Sequence, residues 1–339
     1  MTLPLDDQAA LDFALHLRRG WAARIYPQVK REFDDEASGS ADLAAQIHAL
    51  PTYPWFSWME RSSQKMLWRA VVRAVRNSPR SSRGNGAEVN AALELPSWYT
   101  DWDIHLQPGG VWSRDDAAAI YELGAKLVMM GDNDDYKFHQ LFVDTAVPKK
   151  SYGTIVDLGC GFGKSTWPFA ASFPDAKVIG VDLSAPCVEL AAERAAEKRL
   201  AIRFIQADAT ATPLDDASAD LVTSTMFVHE IPLAVLPTVF SEAARLLAPG
   251  GILRFLDFHV TGDAFRDFAM IEHGTRNNEP FMPDMLRNDL TAMAEAAGLR
   301  NARWVAFDER GDGRRPDLSW PERPEWHFPW AVLEAEKPA

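Results

Sequence analysis

The residues with the clearest chemical meaning are the glycines and acids of one short run, "IVDLGCGFGKST", Ile155 to Thr166. Gly159, Gly161 and Gly163 alternate there. Alternate glycines allow a tight turn and let a ligand come close to the backbone. The run is not a phosphate cradle: G-x-x-x-x-G-K-[ST] needs a glycine where Leu158 stands. It is not a dinucleotide fingerprint either, because the third glycine of G-x-G-x-x-G falls on Lys164. Three acids surround it in sequence. Asp157 precedes the glycines, Asp182 ends the run "AKVIGVD", and Asp208 follows "AIRFIQA". A carboxylate at 182 can accept both hydroxyls of a ribose, and one at 208 can accept from an exocyclic adenine amine. No second glycine-rich turn is available for a pyrophosphate. The pattern implies a nucleoside ligand without phosphate, and Lys164 and Ser165 are expected to begin a helix.

These residues need a sheet to hold them. From about residue 150 the chain alternates short apolar runs with helical patterns. Strands are expected at "GTIVDL", "AKVIGVDL", "AIRFIQAD", "ASADLVTSTM" and "GILRFLDF", followed by "RWVAFDE" and "FPWAVLEAE". Strands alternating with helices predict a Rossmann-like, doubly wound α/β sheet of seven strands. The last two strands have no helix between them, which predicts an antiparallel hairpin at one edge. Residues 1–147 predict an α-helical domain without strands, and 148–339 the sheet domain. Helices are expected around Leu11, Ala14, Leu15 and Leu17, after a capping Ser40, over "SSQKMLWRAVVRAVRN", and over two later segments that end at Pro148.

The set "VDLGCGFG", "GVDLS", "QADATATPLDDASADLV" and "RLLAPGGILRFLDF" resembles the class I S-adenosylmethionine-dependent methyltransferase family. The similarity covers roughly residues 150–310. The resemblance implies that Gly159, Cys160 and Gly161 line the methionine and ribose part of S-adenosylmethionine, with Asp157 orienting that loop or the methionine amino group. It implies that Asp182 binds the ribose hydroxyls with Leu183 beside the adenine, that Asp208 and Ala209 hold the adenine edge, and that Thr225 and Met226 flank the sulfonium.

Methyl transfer needs an acceptor held in line, and a hydroxyl acceptor gains from a base. His229 and His259 follow the fourth and fifth strands, which are neighbours in the family's topology, so both are candidate catalytic residues, together with His105. In similar enzymes a His-Glu pair at 229 and 230 ties down the loop, which makes His229 a residue close to the cofactor as much as a base. His273 lies in a segment expected to help cover the substrate. The loop "SWYTDWDIHLQPGGVWS" is dense in aromatics; Trp98, Tyr99, Trp102 and Gln107 are expected in a lid or substrate pocket. The alternative is a loop merely packed on the helices. "STMF" stands where many methyltransferases of planar nitrogens carry [DNS]-P-P-[YFW].

The 339 residues carry a net charge of −13, which argues against broad binding to nucleic acid or an anionic membrane. Cys160 and Cys187 form neither a disulfide framework nor a C-x-x-C pair, and no metal ligand set is expected. No membrane span or signal peptide is apparent, so a cytoplasmic location is expected. Arg61, Lys65, Arg69, Arg73 and Arg76, then Arg80 and Arg83, make a basic helix face. The expected function is methylation of oxygen or carbon on a small, fairly apolar or aromatic molecule. The alternatives are a macromolecular methyltransferase using residues 61–83 and a cofactor-binding protein without methyl transfer. The tail "RRPDLSWPERPEWHFPW" is expected to be an ordered cover or a homodimer contact.

Overall fold

The computed structural model describes residues 3–36, 42–78, 86–130 and 134–339. The first part is helical: α1 Leu5–Gly20, a π-helical turn Trp21–Ile25, α2 Tyr26–Asp35, α3 Leu43–His48 and α4 Tyr53–Asn77. Asp42, whose side chain accepts from the Ala45 amide, caps α3. Ser40, Arg80 and Arg83 lie outside the described residues. The strand β1, Ala87–Glu88, comes next, then α5 Ser97–Thr100, α6 Ala117–Val128 and α7 Lys137–Ala146. The buried stripe of α1 is Asp7, Leu11, Ala14 and Arg18, and that of α4 includes Glu60, Ser63, Gln64, Leu67 and Trp68. Ordinary amphipathic helices keep charge off that stripe.

The second part alternates as expected: β2 Thr154–Leu158, α8 Trp167–Ser172, β3 Lys177–Asp182, α9 Ala185–Glu197, β4 Ile202–Gln206, β5 Ala219–Thr225, α10 Leu236–Leu246 and β6 Leu247–Phe258. Then come α11 Ala264–Arg276, α12 Met282–Arg287, α13 Leu290–Ala296, β7 Arg300–Asp308, β8 Gly313–Arg314 and β9 Trp330–Glu336. The sheet order is β1-β4-β3-β2-β5-β6-β9-β7-β8. The strands β2 to β6 run parallel, and β9 enters antiparallel between β6 and β7, with Leu333 opposite Phe255 on one side and Trp304 on the other. All seven expected strands are present. Two two-residue strands extend the edges, so the sheet has nine strands among the described residues rather than seven. One of them, β1, corrects the expectation of no strand before residue 147. Ala87 and Glu88 pair with Phe204 and Ile205, a contact too short for any periodicity to announce.

Order is reversed at the centre. After β2 the chain turns to β3 and then β4 on one side, and returns to β5 and β6 on the other. The carboxyl ends of β2 and β5 therefore border a crevice, which is where open α/β sheets bind ligands. The helices of the first part share a core with this sheet. One hydrophobic cluster runs from Trp21, Tyr26 and Phe56 to Phe265 and Trp326. The tail before β9 seals it: the Trp326 amide donates to the Ala22 carbonyl at 3.0 Å, and its ring lies 5.6 Å from Trp21 and 5.3 Å from Tyr26. A polar latch completes the join. Glu60 of α4 accepts from Arg276 and is bonded to His273, both on α11.

Candidate active site

The glycine loop is shaped by its neighbour strand. The amides of Gly159 and Cys160 donate to the Val181 carbonyl at 2.8 and 3.0 Å, and the Gly161 amide donates to Asp182 Oδ2 at 2.8 Å. Gly159 has φ of 71°, and a Cβ there would stand 2.3 Å from the Phe227 ring, so only glycine fits. Asp157 holds the loop from beneath. Its Oδ2 accepts from Ser165 Oγ and Thr166 Oγ1, both at 2.7 Å. Burial pushes the Asp157 carboxyl up to about 7, against the pull of those two hydroxyls. Burial likewise pushes Asp182 up to about 6, opposed by the Ser184 and Gly161 amides.

A cavity of about 1010 Å³ opens above this loop. Gly159, Cys160, Gly161, Asp182 and Leu183 line it, and so do Asp208, Ala209, Thr225 and Met226. Of the residues expected to hold the cofactor, Asp157 alone stays out of the lining; it acts on the loop. Trp98, Tyr99 and Trp102 line this same cavity, far from the glycine loop in sequence but part of one lining with it. Lys164 and Ser165 do not begin a helix; α8 starts at Trp167. Lys164 instead turns inward, with Nζ 3.0 Å from Tyr121 Oη and 4.7 Å from the Tyr121 ring centre. Burial pulls its ammonium down to about 8.

A second chamber of about 640 Å³ adjoins the first, and His105, Tyr121, Lys164, Met226 and Glu230 border both. Its walls come from far apart in sequence: Arg18 of α1, Gln64 and Trp68 of α4, Ala125 and Val128 of α6, Phe258 of β6, and Phe328 and Trp330 of the tail. Arg18 is 4% exposed, and its Nε has no hydrogen-bond partner. Burial pulls its guanidinium down to about 10, with Glu60 opposing, so it stays charged at neutral pH. The Gln64 Oε1 and Trp68 Nε1 atoms are also buried without partners. Met226 and His105, on facing walls, both adopt left-handed backbone, with φ of 56° and 57°. Such strain gathers at functional sites because the surroundings must enforce it. Gln64 does part of that work, donating from Nε2 to the His105 carbonyl at 3.1 Å.

The histidines divide. His105 lies in the wall between the chambers, bonded to Glu230 through Nε2 at 2.8 Å and to Glu279 through Nδ1 at 2.9 Å. His229 is buried in the second chamber's wall, with Nδ1 2.7 Å from Asp257 Oδ1. His273 reaches the same chamber but is engaged by Glu60. His259 corrects the expectation that it faces the pocket. Its Nδ1 bonds the Val260 carbonyl, its ring packs on Trp304 and Trp320, and it lines neither chamber. It follows β6 by one residue and points away from the crevice, whereas Phe258, the last residue of the strand, lines the second chamber. Gln107 is a second correction. It is buried and donates from Nε2 to the Gly110 and Ala117 carbonyls, so it shapes the loop and does not reach an acceptor. The sequence reading missed Arg18, Gln64, Trp68, Tyr121 and the inward Lys164. A signal for Arg18 was present: a cation on the apolar stripe Leu11, Ala14, Arg18.

Residues 155–251 match the family model described as "Methyltransferase domain". The chain is 33% identical over 141 residues to a demethylmenaquinone methyltransferase of Thermus thermophilus, covering 42% of this chain and 62% of the relative. It is 42% identical over 109 residues to a trans-aconitate 2-methyltransferase of Methylobacterium radiotolerans, covering 32% and 38%. It is 30% identical over 155 residues to ribosomal RNA large subunit methyltransferase G of Shewanella amazonensis, covering 42% and 37%. The chain thus spans less than two thirds of the length of these relatives. Among solved structures it is similar to phosphoethanolamine N-methyltransferase 2 of Haemonchus contortus, with a TM-score of 0.48 and 17% identity over 72% of this chain and 61% of that one. The family match falls on the glycine loop and on strands β2 to β5, so residues 155–251, the part of the sheet that frames the first chamber, are similar to a methyltransferase domain.

Proposed function

We propose that this protein transfers a methyl group from S-adenosylmethionine to oxygen or carbon of a small, largely apolar molecule that carries an anionic or strongly accepting group. The observation that carries this reading is the second chamber, which adjoins the cofactor crevice at Met226 and presents the unpartnered Arg18. The residues of the first chamber suit the cofactor. Asp182 spends its two oxygens on two backbone amides only, leaving lone pairs for ribose hydroxyls. The Thr225 hydroxyl is buried without a partner in the same lining. The glycines offer backbone where a side chain would fill the space. When bound, S-adenosylmethionine supplies an electrophilic methyl group on a sulfonium.

The chain's own part is placement and proton handling. Trp98, Tyr99 and Trp102 cover the nucleoside crevice and exclude water. Trp68, Val128, Phe258 and Trp330 give the acceptor an apolar bed, and Arg18 with Gln64 fixes its polar end. Lys164 Nζ, poised near neutrality by burial, is the group placed to take a proton from an acceptor oxygen. A macromolecular acceptor is supported less well. Arg73 and Arg76 of the basic face are paired with Asp7 and Asp116, and Arg61 donates to the Arg276 carbonyl. The test is turnover to S-adenosylhomocysteine with small carboxylate-bearing phenols and enols, set beside total RNA. Turnover with a small acid supports the proposal; methylation of RNA alone sinks it.

A further inference from the structure

The wall between the two chambers holds three groups that face one another, His105, His229 and Glu230. His105 Nε2 is 2.8 Å from Glu230 Oε1, and His229 Nε2 is 3.8 Å from the same oxygen. One ligand atom from each of His105, His229 and Glu230 lies within 4.8 Å of the others. The outer edges of both imidazoles are already spoken for. His229 Nδ1 meets Asp257 Oδ1 at 2.7 Å, and His105 Nδ1 meets Glu279 Oε1 at 2.9 Å. Asp257 is itself fixed, accepting from the amides of Phe227, Val228 and Phe258. The carboxylates on Nδ1 orient both rings so that each Nε2 faces Glu230, where a bound cation would displace the proton that the His105 Nε2–Glu230 hydrogen bond carries. Two ring nitrogens and a carboxylate thus converge on one small space.

We propose that His105, His229 and Glu230 bind a divalent first-row transition-metal ion at the junction of the two chambers. Two imidazoles and one carboxylate form a ligand set that suits iron(II), zinc(II) or cobalt(II) and leaves positions open. The carboxylates behind both imidazoles are what metal-ligating histidines ordinarily carry, and they set ring orientation. The ligand spread contracts by a small movement. Bonds of about 2.1 Å place ligand atoms about 3 Å apart across an ion, and His105 sits on a loop already held in left-handed backbone. The open positions would face the second chamber, which His105, His229 and Glu230 all line beside Met226. An acceptor oxygen bound there would be polarised next to the transferable methyl group. No such set is evident in the sequence, because Glu230 lies 125 residues from His105. The use of the ion in methyl transfer rests on the function proposed above; the site itself does not.

The test uses the full chain, stripped with a chelator and titrated with cobalt(II) chloride. The expected result is visible absorption that saturates at one equivalent, with an anomalous-scattering peak between His105, His229 and Glu230 in crystals of the loaded protein. Glu230→Gln and Glu279→Gln are each expected to weaken cobalt binding about 10–100-fold, with the second leaving S-adenosylmethionine affinity within twofold. If either variant fails to fold, the stoichiometry and peak position in the unaltered protein decide alone. Absence of saturable absorption, a peak elsewhere, or equal cobalt affinity in wild type and a folded Glu230→Gln variant overturns the site. Calorimetry with S-adenosylmethionine on the same sample separates the two ideas: a protein that binds the cofactor and no cobalt loses the metal site and keeps the methyl-transfer reading.

Discussion

The two chambers are built by different means. The first is made largely of strand ends and the loops that follow them, within the stretch of chain from Gly159 to Val239, with Tyr121 and the segment from Trp98 to Trp112 as its other wall. Its lining includes the glycines of the loop and the acids Asp182 and Asp208, each following a strand. The second is made of side chains from α1, α4, α6, the loop at His105, β6 and the tail. Its polar members include the buried Arg18, Gln64 and His229, which come from α1, α4 and the turn after β5, and Arg18 Nε and Gln64 Oε1 have no partner. A backbone site tolerates little change in residue type at its glycines and much around them. A side-chain site can be rebuilt one residue at a time, which would suit the acceptor-binding role proposed for it.

Three substitutions and one titration can break or sharpen that contrast. The largest effect is expected at Gly159. Gly159→Val places a side chain within the Phe227 ring at a backbone angle that valine avoids. Affinity for S-adenosylmethionine is expected to fall by at least about 1,000-fold, as measured by calorimetry. An affinity within tenfold of wild type would mean that the loop does not contact the ligand.

The join between the two parts comes second. Glu60 is buried, and burial would raise its carboxyl, but Arg276 and His273 hold it down at about 2. Glu60→Ala removes the carboxylate to which Arg276 donates and leaves that buried guanidinium with the more distant Glu272, a loss on the order of 3–5 kcal/mol in chemical denaturation. The stabilisation is present above the usual glutamate pKa and is lost as pH falls toward about 2. A loss below 1 kcal/mol would show that the helices and sheet are held by apolar packing alone.

Arg18 gives a smaller effect with an unusual signature. Arg18→Met keeps the apolar stem and removes a buried charge whose Nε has no partner. Stability is expected to rise by about 1–2 kcal/mol. The KM for an anionic acceptor is expected to rise about 10–100-fold, with cofactor affinity unchanged. A fall in stability with no change in KM would make Arg18 a structural residue paired to Glu60 at long range.

The same contrast explains what the sequence disclosed. The first chamber was legible because strand ends and glycine turns leave local marks. "DLGCGFG", Asp182 and Asp208 follow their strands at spacings that backbone geometry imposes. Lys164 was misjudged because a helix start and an inward turn share the same residues. The second chamber was not legible. Nothing local says that Arg18, His105 and His229 meet, since tertiary packing alone brings them together. His259 shows the converse: its position at a strand end matched the pattern, yet its ring turned to Trp304 and Trp320. Buried polar residues on the stripes of α1 and α4 were the one usable trace.

The smallest expected effect is a pH dependence that belongs to the first chamber alone. Asp182 has its carboxyl raised by burial from 3.8 to about 6 in the free protein. The folded, ligand-free chain therefore holds this proton more tightly than the unfolded chain does. Its charge is a cost to folding that is complete above about pH 6 and absent below about pH 4. Ribose hydroxyls donating to the carboxylate favour the charged form, so binding draws the pKa down and releases a proton. Affinity for S-adenosylmethionine should then be flat above about pH 6 and fall by up to about tenfold per unit below it. Asp182→Asn should bind more weakly at pH 7.5 and lose this slope. Calorimetry between pH 5 and 8 measures both. An unchanged slope in Asp182→Asn would move the titration to Asp157, whose carboxyl lies beneath the loop and is pushed up to about 7, and would mean that the proton reports on the shape of the loop rather than on the ribose contact.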